Sequence, residues 1–335
     1  MKLGKRILLA IALLTPLLPA IADEVGMDNA SRNDYLSAIK GKRVIYIPMT
    51  MQADLTIAWN KMLQRQAKEL GYTVEVRDAN WSTETGARAL TTAINEKPDL
   101  VVLQNSDVQS YAKLIKQATD ANIKVLQLNM GSLQKSDAYV GADWIGIGYT
   151  AGKEVAARCA TGKGRSTKVQ IVMGAPTGPS DLYQVFGFRK AIADHPEIKI
   201  VSQQAANYDP TKARAITSSV LQQHPDLCAS FGTWDAMDAG SGAAVKEAGL
   251  QGKVFVVTSG GGARTSCQKI SEGIFSMLIA FDVRNQGAAI NAMVASLLQS
   301  KERANANPVV YFTPNRLITK ENMTSGSCWV MDDLL

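Results

Sequence analysis

Apolar positions along this chain follow two rhythms that take turns. Unbroken apolar runs of strand length, such as KRVIYIPMT, DLVVLQNS and IKVLQLNM, are separated by stretches in which apolar residues recur every three or four positions. DLTIAWNKMLQRQAKELG is of the second kind and stops at Gly71, a helix-ending residue. The order reads strand KRVIYIPMT, helix to Gly71, strand YTVEVRDA, helix TETGARALTTAINEK, strand DLVVLQNS, helix VQSYAKLIKQATDAN and strand IKVLQLNM. A polar lead-in with a short helix around Tyr35 to Lys40 precedes them. The pattern then restarts with helix IGYTAGKEVAARCATGKG, strand TKVQIVMG, helix DLYQVFGFRKAIADHP, strand IKIVSQQAA, helix DPTKARAITSSVLQQHP and strand DLCASFGT. Helix AMDAGSGAAVKEAGL, strand KVFVVTSG, helix ARTSCQKISEG, strand IFSMLIAF, the long helix VRNQGAAINAMVASLLQSK and an extended PVVYFTPNRLITKENM complete it.

Strands that are apolar on both faces and separated by helices belong to parallel sheets covered on both sides. The predicted class is therefore α/β, with two similar Rossmann-like lobes. One local repetition supports the doubling: INEKPDLVVLQNSD and LQQHPDLCASFGTWD both run from a helix end through Pro-Asp-Leu into a short strand. Ligands of open α/β sheets bind beyond the carboxyl ends of the strands. Two lobes face to face would put Gln104 and Asn105 on one wall of a cleft and Trp234 and Asp235 on the other.

The start of the chain changes the compartment. Lys2, Lys5 and Arg6, an apolar run from Ile7 to Leu18, and Ala20-Ile21-Ala22 before Asp23 form a signal-peptide pattern over residues 1–22. The run is shorter than the ~20 residues a membrane span needs. The mature protein is expected to be soluble and outside the cytoplasm. Removing those three bases leaves 33 basic against 30 acidic residues, scattered without a basic block, which argues against nucleic acid as a partner.

The same compartment permits disulfides among Cys159, Cys228, Cys267 and Cys328, for which three pairings exist. No Cys-x-x-Cys or His cluster suggests a metal, and His195 and His224 each precede a proline. TSGGGAR lacks the dinucleotide-binding spacing, and VMGAPTGPS lacks the Lys-Ser/Thr ending of a phosphate loop. No nucleophile–base pair appears, so the reading is a binding protein without cofactor rather than an enzyme.

KELGYTVEVRDAN, KPDLVVLQNSD, IKQATDANIKVLQLN, AYVGADWIGIGYTAGKEVA, HPDLCASFGTWDAM and RLITKENM, in that order and spacing, carry a resemblance over nearly the whole mature chain. It resembles the periplasmic solute-binding proteins of ABC importers, ribose-binding type, which share their fold with LacI-type repressors. The resemblance implies an N-terminal lobe of 41–142 plus 282–309 after a lead-in of 23–40, and a C-terminal lobe of 143–281 plus 310–335. Three crossovers, near 142, 282 and 309, would form the hinge, and one ligand would be buried by closure. The implied partner is an ABC permease in the inner membrane, or a chemoreceptor or sensor kinase, with the protein itself a monomer.

The ligand-facing positions depart from the sugar-binding relatives. Asn129 and Met130 stand where an Asp-Arg pair clamps hydroxyls, Trp234-Asp235 replaces Asn-Asp, and Ser259, Gly260 and Gly261 replace Phe-Asp-Gly. Leu182-Tyr183 occupies an arginine position, Met49 ends the first strand, and Phe281 replaces a glutamine before Asp282. The expected ligand-binding set is Met49, Asp54, Leu55, Gln104, Asn129, Trp144, Tyr183, Tyr208, Trp234, Gly260, Phe281 and Asp282. A sugar or polyol is the expected ligand. A small non-sugar organic ligand, a carboxylate or ring compound, is the alternative, the carboxylate using the Ser259–Arg264 loop. From element order, Cys159 and Cys228 meet at the second lobe's far end and Cys267 and Cys328 tie down the tail.

Overall fold

Stretches such as Val44–Ile47 and Leu100–Leu103 have no polar face to offer water, and the chain buries them side by side as central strands. In the computed structural model, which describes residues 27–334, the chain order begins α1 (Met27–Ile39), β1 (Arg43–Ile47), α2 (Asp54–Leu70), β2 (Thr73–Val76), α3 (Thr83–Glu96) and β3 (Leu100–Leu103). It continues through α4 (Ala112–Asp120), β4 (Lys124–Leu128), β5 (Ala138–Ala142), α5 (Trp144–Cys159), β6 (Lys168–Met173), α6 (Pro179–Ala191), β7 (Lys199–Ala205) and α7 (Pro210–Gln223). Then come β8 (Ala229–Gly232), α8 (Asp235–Glu247), β9 (Phe255–Gly260), α9 (Arg264–Ser271), β10 (Met277–Ala280), α10 (Val283–Gln299), β11 (Val309–Thr313) and β12 (Arg316–Ile318). A short 3-10 turn over Met331–Leu334 closes the described chain. The signal peptide read at 1–22 lies outside the described residues.

The strands form two six-stranded sheets, ordered β11-β5-β4-β3-β1-β2 and β12-β10-β9-β8-β6-β7. Every pairing in the first is parallel, and in the second only β12 runs antiparallel, to β10. The order reverses around β1 in one sheet and β6 in the other, which opens a crevice beyond their carboxyl ends. Ile45, Ile47, Val101 and Leu103 pack with Leu90, Tyr111 and Ile115 of the first sheet's helical cover. Val256, Leu278 and Phe275 do the same with Val220, Leu221 and Val245 in the second.

The chain passes between the sheets after β5, between β10 and α10, and between β11 and β12. The third passage is at Pro314-Asn315, a few residues later than the 309 read from sequence, because Val309–Thr313 pairs with Ala138–Ala142 in the first sheet. α5 packs so closely on α6 that a Cβ on Gly148 would overlap the Gln184 carbonyl. The four cysteines pair as Cys159–Cys228 and Cys267–Cys328, with Cα separations of 5.9 and 6.1 Å, the combination that element order suggests. Among the described residues no helix is long and apolar enough to cross a membrane, and no cluster of metal-ligating side chains occurs.

Candidate functional site: an aromatic cleft between the two sheets

The carboxyl ends of β1, β3 and β4 face those of β6, β8 and β10 across a cavity of ≈ 60 Å3. Met49, Thr50, Gln104, Asn129 and Met130 follow first-sheet strands, and Ser180, Tyr208, Thr233, Trp234 and Phe281 come from the second. Trp144 at the start of α5, Ala53, Leu55 and Thr56 around the start of α2, and Trp81 complete the wall. No Lys, Arg, Asp or Glu is among them.

Asn129 is the pivot of one wall. It has φ 57°, a left-handed conformation that Asn tolerates better than most residues. Its Oδ1 accepts from the Ala142 N–H at 3.0 Å and from Gln286 Nε2 at 2.9 Å. Its carbonyl accepts the Trp144 indole N–H at 2.6 Å and the Tyr139 hydroxyl at 3.0 Å. Trp144 is thereby fixed, and Phe281 meets it edge-on with centroids 5.2 Å apart. Gln104 is held from the other direction, its Oε1 accepting the Met49 N–H at 2.9 Å.

The opposite wall is aromatic and rests on buried carboxylates. Trp81, reaching over from the first-sheet side, stacks on Tyr208 at 5.5 Å and leans on Trp234 at 6.0 Å, while Tyr208 meets Trp234 edge-on at 5.7 Å. The Tyr208 hydroxyl donates to Asp181 Oδ2 at 2.5 Å. Asp181 also accepts from Thr233 and from the N–H groups of Gly174, at 2.6 Å, and Ala175, at 3.2 Å. Burial raises its pKa against these hydrogen bonds, and burial followed by the Asp181 charge raises that of Tyr208. Behind them Asp235 accepts from Ser266 Oγ at 2.6 Å, and Asp238 from Thr258 Oγ1 at 2.6 Å. Burial pushes Asp235 up to about 6 and Asp238 well above its ordinary value.

Of the twelve residues expected from sequence, eight line this cavity: Met49, Leu55, Gln104, Asn129, Trp144, Tyr208, Trp234 and Phe281. The other four are placed elsewhere. Asp54, exposed at the first turn of α2, lines a neighbouring hollow with Asp235 and Lys269. Tyr183 lines an outer hollow with Tyr139, Ile145 and Phe312. Gly260 leaves the space of its missing side chain to the Asp235 carboxylate. Asp282, at φ 48°, caps α10 and pairs with Arg316 at 2.9 Å, a contact that turns it from the cavity. Asn105 turns inward to Gln127 and the Met130 carbonyl, and Asp235 to Ser266. In the Ser259–Arg264 loop the Ser259 hydroxyl is spent on Gln184 and the Thr233 carbonyl, and Arg264 lines a separate hollow with Met323 and Ser325.

Sequence reasoning passed over Trp81, Thr50, Ala53, Thr56, Ser180 and Thr233, and left Met130 near rather than in the set. A signal existed for Trp81. It lies between strand and helix just before the Ser82 cap of α3, as Trp234 lies just before α8.

The chain is similar to proteins of known description. The D-ribose/D-allose-binding protein of Pseudomonas aeruginosa is 30% identical over 166 residues, 48% of this chain and 50% of that protein. The ribose import binding protein RbsB of Bacillus subtilis is 24% identical over 201 residues, 60% of this chain and 64% of its own length. The chain thus spans between half and 64% of the length of these curated relatives. Among solved structures, a carbohydrate transporter solute binding protein from Agrobacterium radiobacter in complex with D-arabinose superposes with TM-score 0.76 at 20% identity. The likeness covers 88% of this chain and 98% of that one, and shows the fold. Residues 44–302, well over half of the chain, match the family described as periplasmic binding protein domain, and the chain belongs to that family.

Proposed function

We propose that this chain is the solute-capturing component of an ABC importer in the periplasm, taking a small, uncharged, sugar-like or polyol ligand into the cleft between its two sheets. The observation that carries the reading is the cavity itself: aromatic faces and two fixed amides, without a charged side chain, at the carboxyl ends of both sets of strands. The names of the relatives, ribose- and allose-binding proteins, support the sugar class. They also support binding rather than catalysis. A carboxylate ligand is disfavoured, because it would be sealed in without a cation. The partner that receives the ligand is a permease in the inner membrane.

Capture works by closure. Trp81 of the first lobe stacks on Tyr208 of the second, and the Val108 N–H donates to the Thr177 carbonyl at 3.2 Å across the same gap. Opening about the three passages breaks both contacts. A ligand touching both walls adds its own contacts only to the closed state and so shifts the population toward it. The test is a thermal-shift panel of pentoses, hexoses, polyols and their oxidised derivatives, with small-angle scattering on any ligand found. A ligand at 100 times its Kd adds about 2.7 kcal/mol, a rise of a few degrees at this size. The radius of gyration should fall with it. No shift across the panel refutes the sugar reading, and a shift without compaction refutes closure.

A further inference from the structure

The two amides of the cleft cannot be turned round. A backbone N–H only donates, so the Met49 N–H fixes Gln104 Oε1 inward, and the Ala142 N–H does the same for Asn129 Oδ1. Both NH2 groups therefore belong to the cavity side. Neither has a hydrogen-bond partner among the described residues, and neither is sealed off from solvent. They are four N–H donors waiting for acceptors.

Most acceptors around the cavity are already used. The Asn129 carbonyl takes Trp144 Nε1 and the Tyr139 hydroxyl. The Thr233 carbonyl takes Gln184 Nε2 and Ser259 Oγ. The Asp181 carboxylate takes Tyr208, Thr233 and two backbone N–H groups. What remains is one lone pair of Gln104 Oε1, the Thr50 hydroxyl, which accepts from the Gln52 N–H, and the spare lone pairs of hydroxyls that are themselves donating, such as Tyr208 and Ser180 to Asp181 and Thr56 to the Ala53 carbonyl.

We propose that the cleft selects a small neutral ring that accepts hydrogen bonds, a lactone or cyclic ketone, over a polyol of the same carbon skeleton. This rests on the reading of the cleft as the ligand site and names the ligand class within it. Each ligand hydroxyl enclosed here brings an O–H that must compete for these few acceptors, whereas a ring carbonyl brings two lone pairs and no donor. The absence of a charged side chain from the wall excludes an ionic ligand. Size points the same way, because ≈ 60 Å3 corresponds to about four to six water positions, room for a five- or six-membered ring with few substituents. Trp144, Phe281, Trp81 and Trp234 give a flat ring its apolar contacts.

The test is calorimetric titration of the full chain with probes of one skeleton: D-ribose, ribitol and D-ribono-1,4-lactone, with γ-butyrolactone as the ring alone. The expected result is binding of at least one lactone at least tenfold tighter than ribose and ribitol. Gln104→Glu keeps the oxygen that accepts from Met49 and replaces the NH2 by an acceptor, and Asn129→Asp does the same on the other side. Each should move the lactone-to-polyol ratio toward polyol by at least tenfold, and the second variant serves if the first does not fold. Tighter wild-type binding of ribose or ribitol overturns this inference and leaves the proposed function standing. No binding of any probe overturns this inference, and the proposed function then stands or falls with the wider thermal-shift panel.

Discussion

Asn129→Ala removes two things at once, and glycine separates them. The residue has φ 57°, where a Cβ costs about 1–2 kcal/mol relative to a residue suited to it. Its Oδ1 is the acceptor for the buried Ala142 N–H, and losing that acceptor costs about 1–3 kcal/mol. Gln286 Nε2 keeps a second partner in Thr313 Oγ1 at 3.2 Å, so its loss adds little. The alanine variant should therefore be less stable by about 2–5 kcal/mol, while Asn129→Gly, free of the conformational penalty, loses only the hydrogen-bond part of about 1–3 kcal/mol. Against a typical total of about 5–15 kcal/mol, both variants fold. Urea unfolding followed by circular dichroism reads the difference as a shift in midpoint at constant slope. Equal midpoints for alanine and glycine would remove the conformational argument. A wild-type midpoint in both would mean that the Oδ1 contacts do not hold this wall together.

The strands that could be read in advance are those that announce themselves locally, as unbroken apolar runs between helices. β5 does not. Ala138–Ala142 is short, contains Gly141, follows a polar stretch and runs straight into the cap of α5, so its strand character comes from pairing with β4 and β11. β11 was legible as extended chain, but its sheet was not, because that depends on a partner about 170 residues earlier in the chain. The site divides in the same way. Which residue follows a strand end can be counted, and this found Gln104, Asn129 and Trp234. Which way its side chain turns depends on groups remote in sequence. Arg316 takes Asp282, Ser266 takes Asp235, and Gln127 takes Asn105. Of the polar residues lost from the expected set, Asp282 serves the fold as a cap and strut, while Asp54 stays exposed at the start of α2. Trp81 entered because Asn80 and Trp81 both adopt positive φ, at 48° and 62°, which presents the indole to the opposite lobe. Asp78, which accepts the Asn80 N–H at 2.8 Å, and Asn80 itself favour such a turn, but they do not say which way the next side chain faces.

The two disulfides close segments of 69 and 61 residues, so chain entropy assigns each a stabilisation of about 4 kcal/mol. Thermal melts with and without reductant, paired with a thiol count, should show a lower midpoint as thiols appear, and an unchanged midpoint with four free thiols would refute the assignment. The buried carboxylates predict an opposite trend to ordinary acid denaturation. Asp235 carries no salt bridge among the described residues, and burial raises its pKa from the ordinary 3.8 to about 6. A carboxyl that holds its proton more tightly folded than unfolded stabilises fully below about pH 4, and that contribution is lost as the pH rises through about 6. Two units amount to about 3 kcal/mol at most. Asp235→Asn keeps the shape, and its NH2 can donate to Ser266 Oγ, so the variant lacks this titration while other groups are unchanged. Stability curves of wild type and variant between pH 4.5 and 8 should therefore diverge, the wild type losing more on going to high pH. Parallel curves across that range would mean that Asp235 titrates as an exposed carboxylate does, and that the burial argued for the floor of this cleft is wrong.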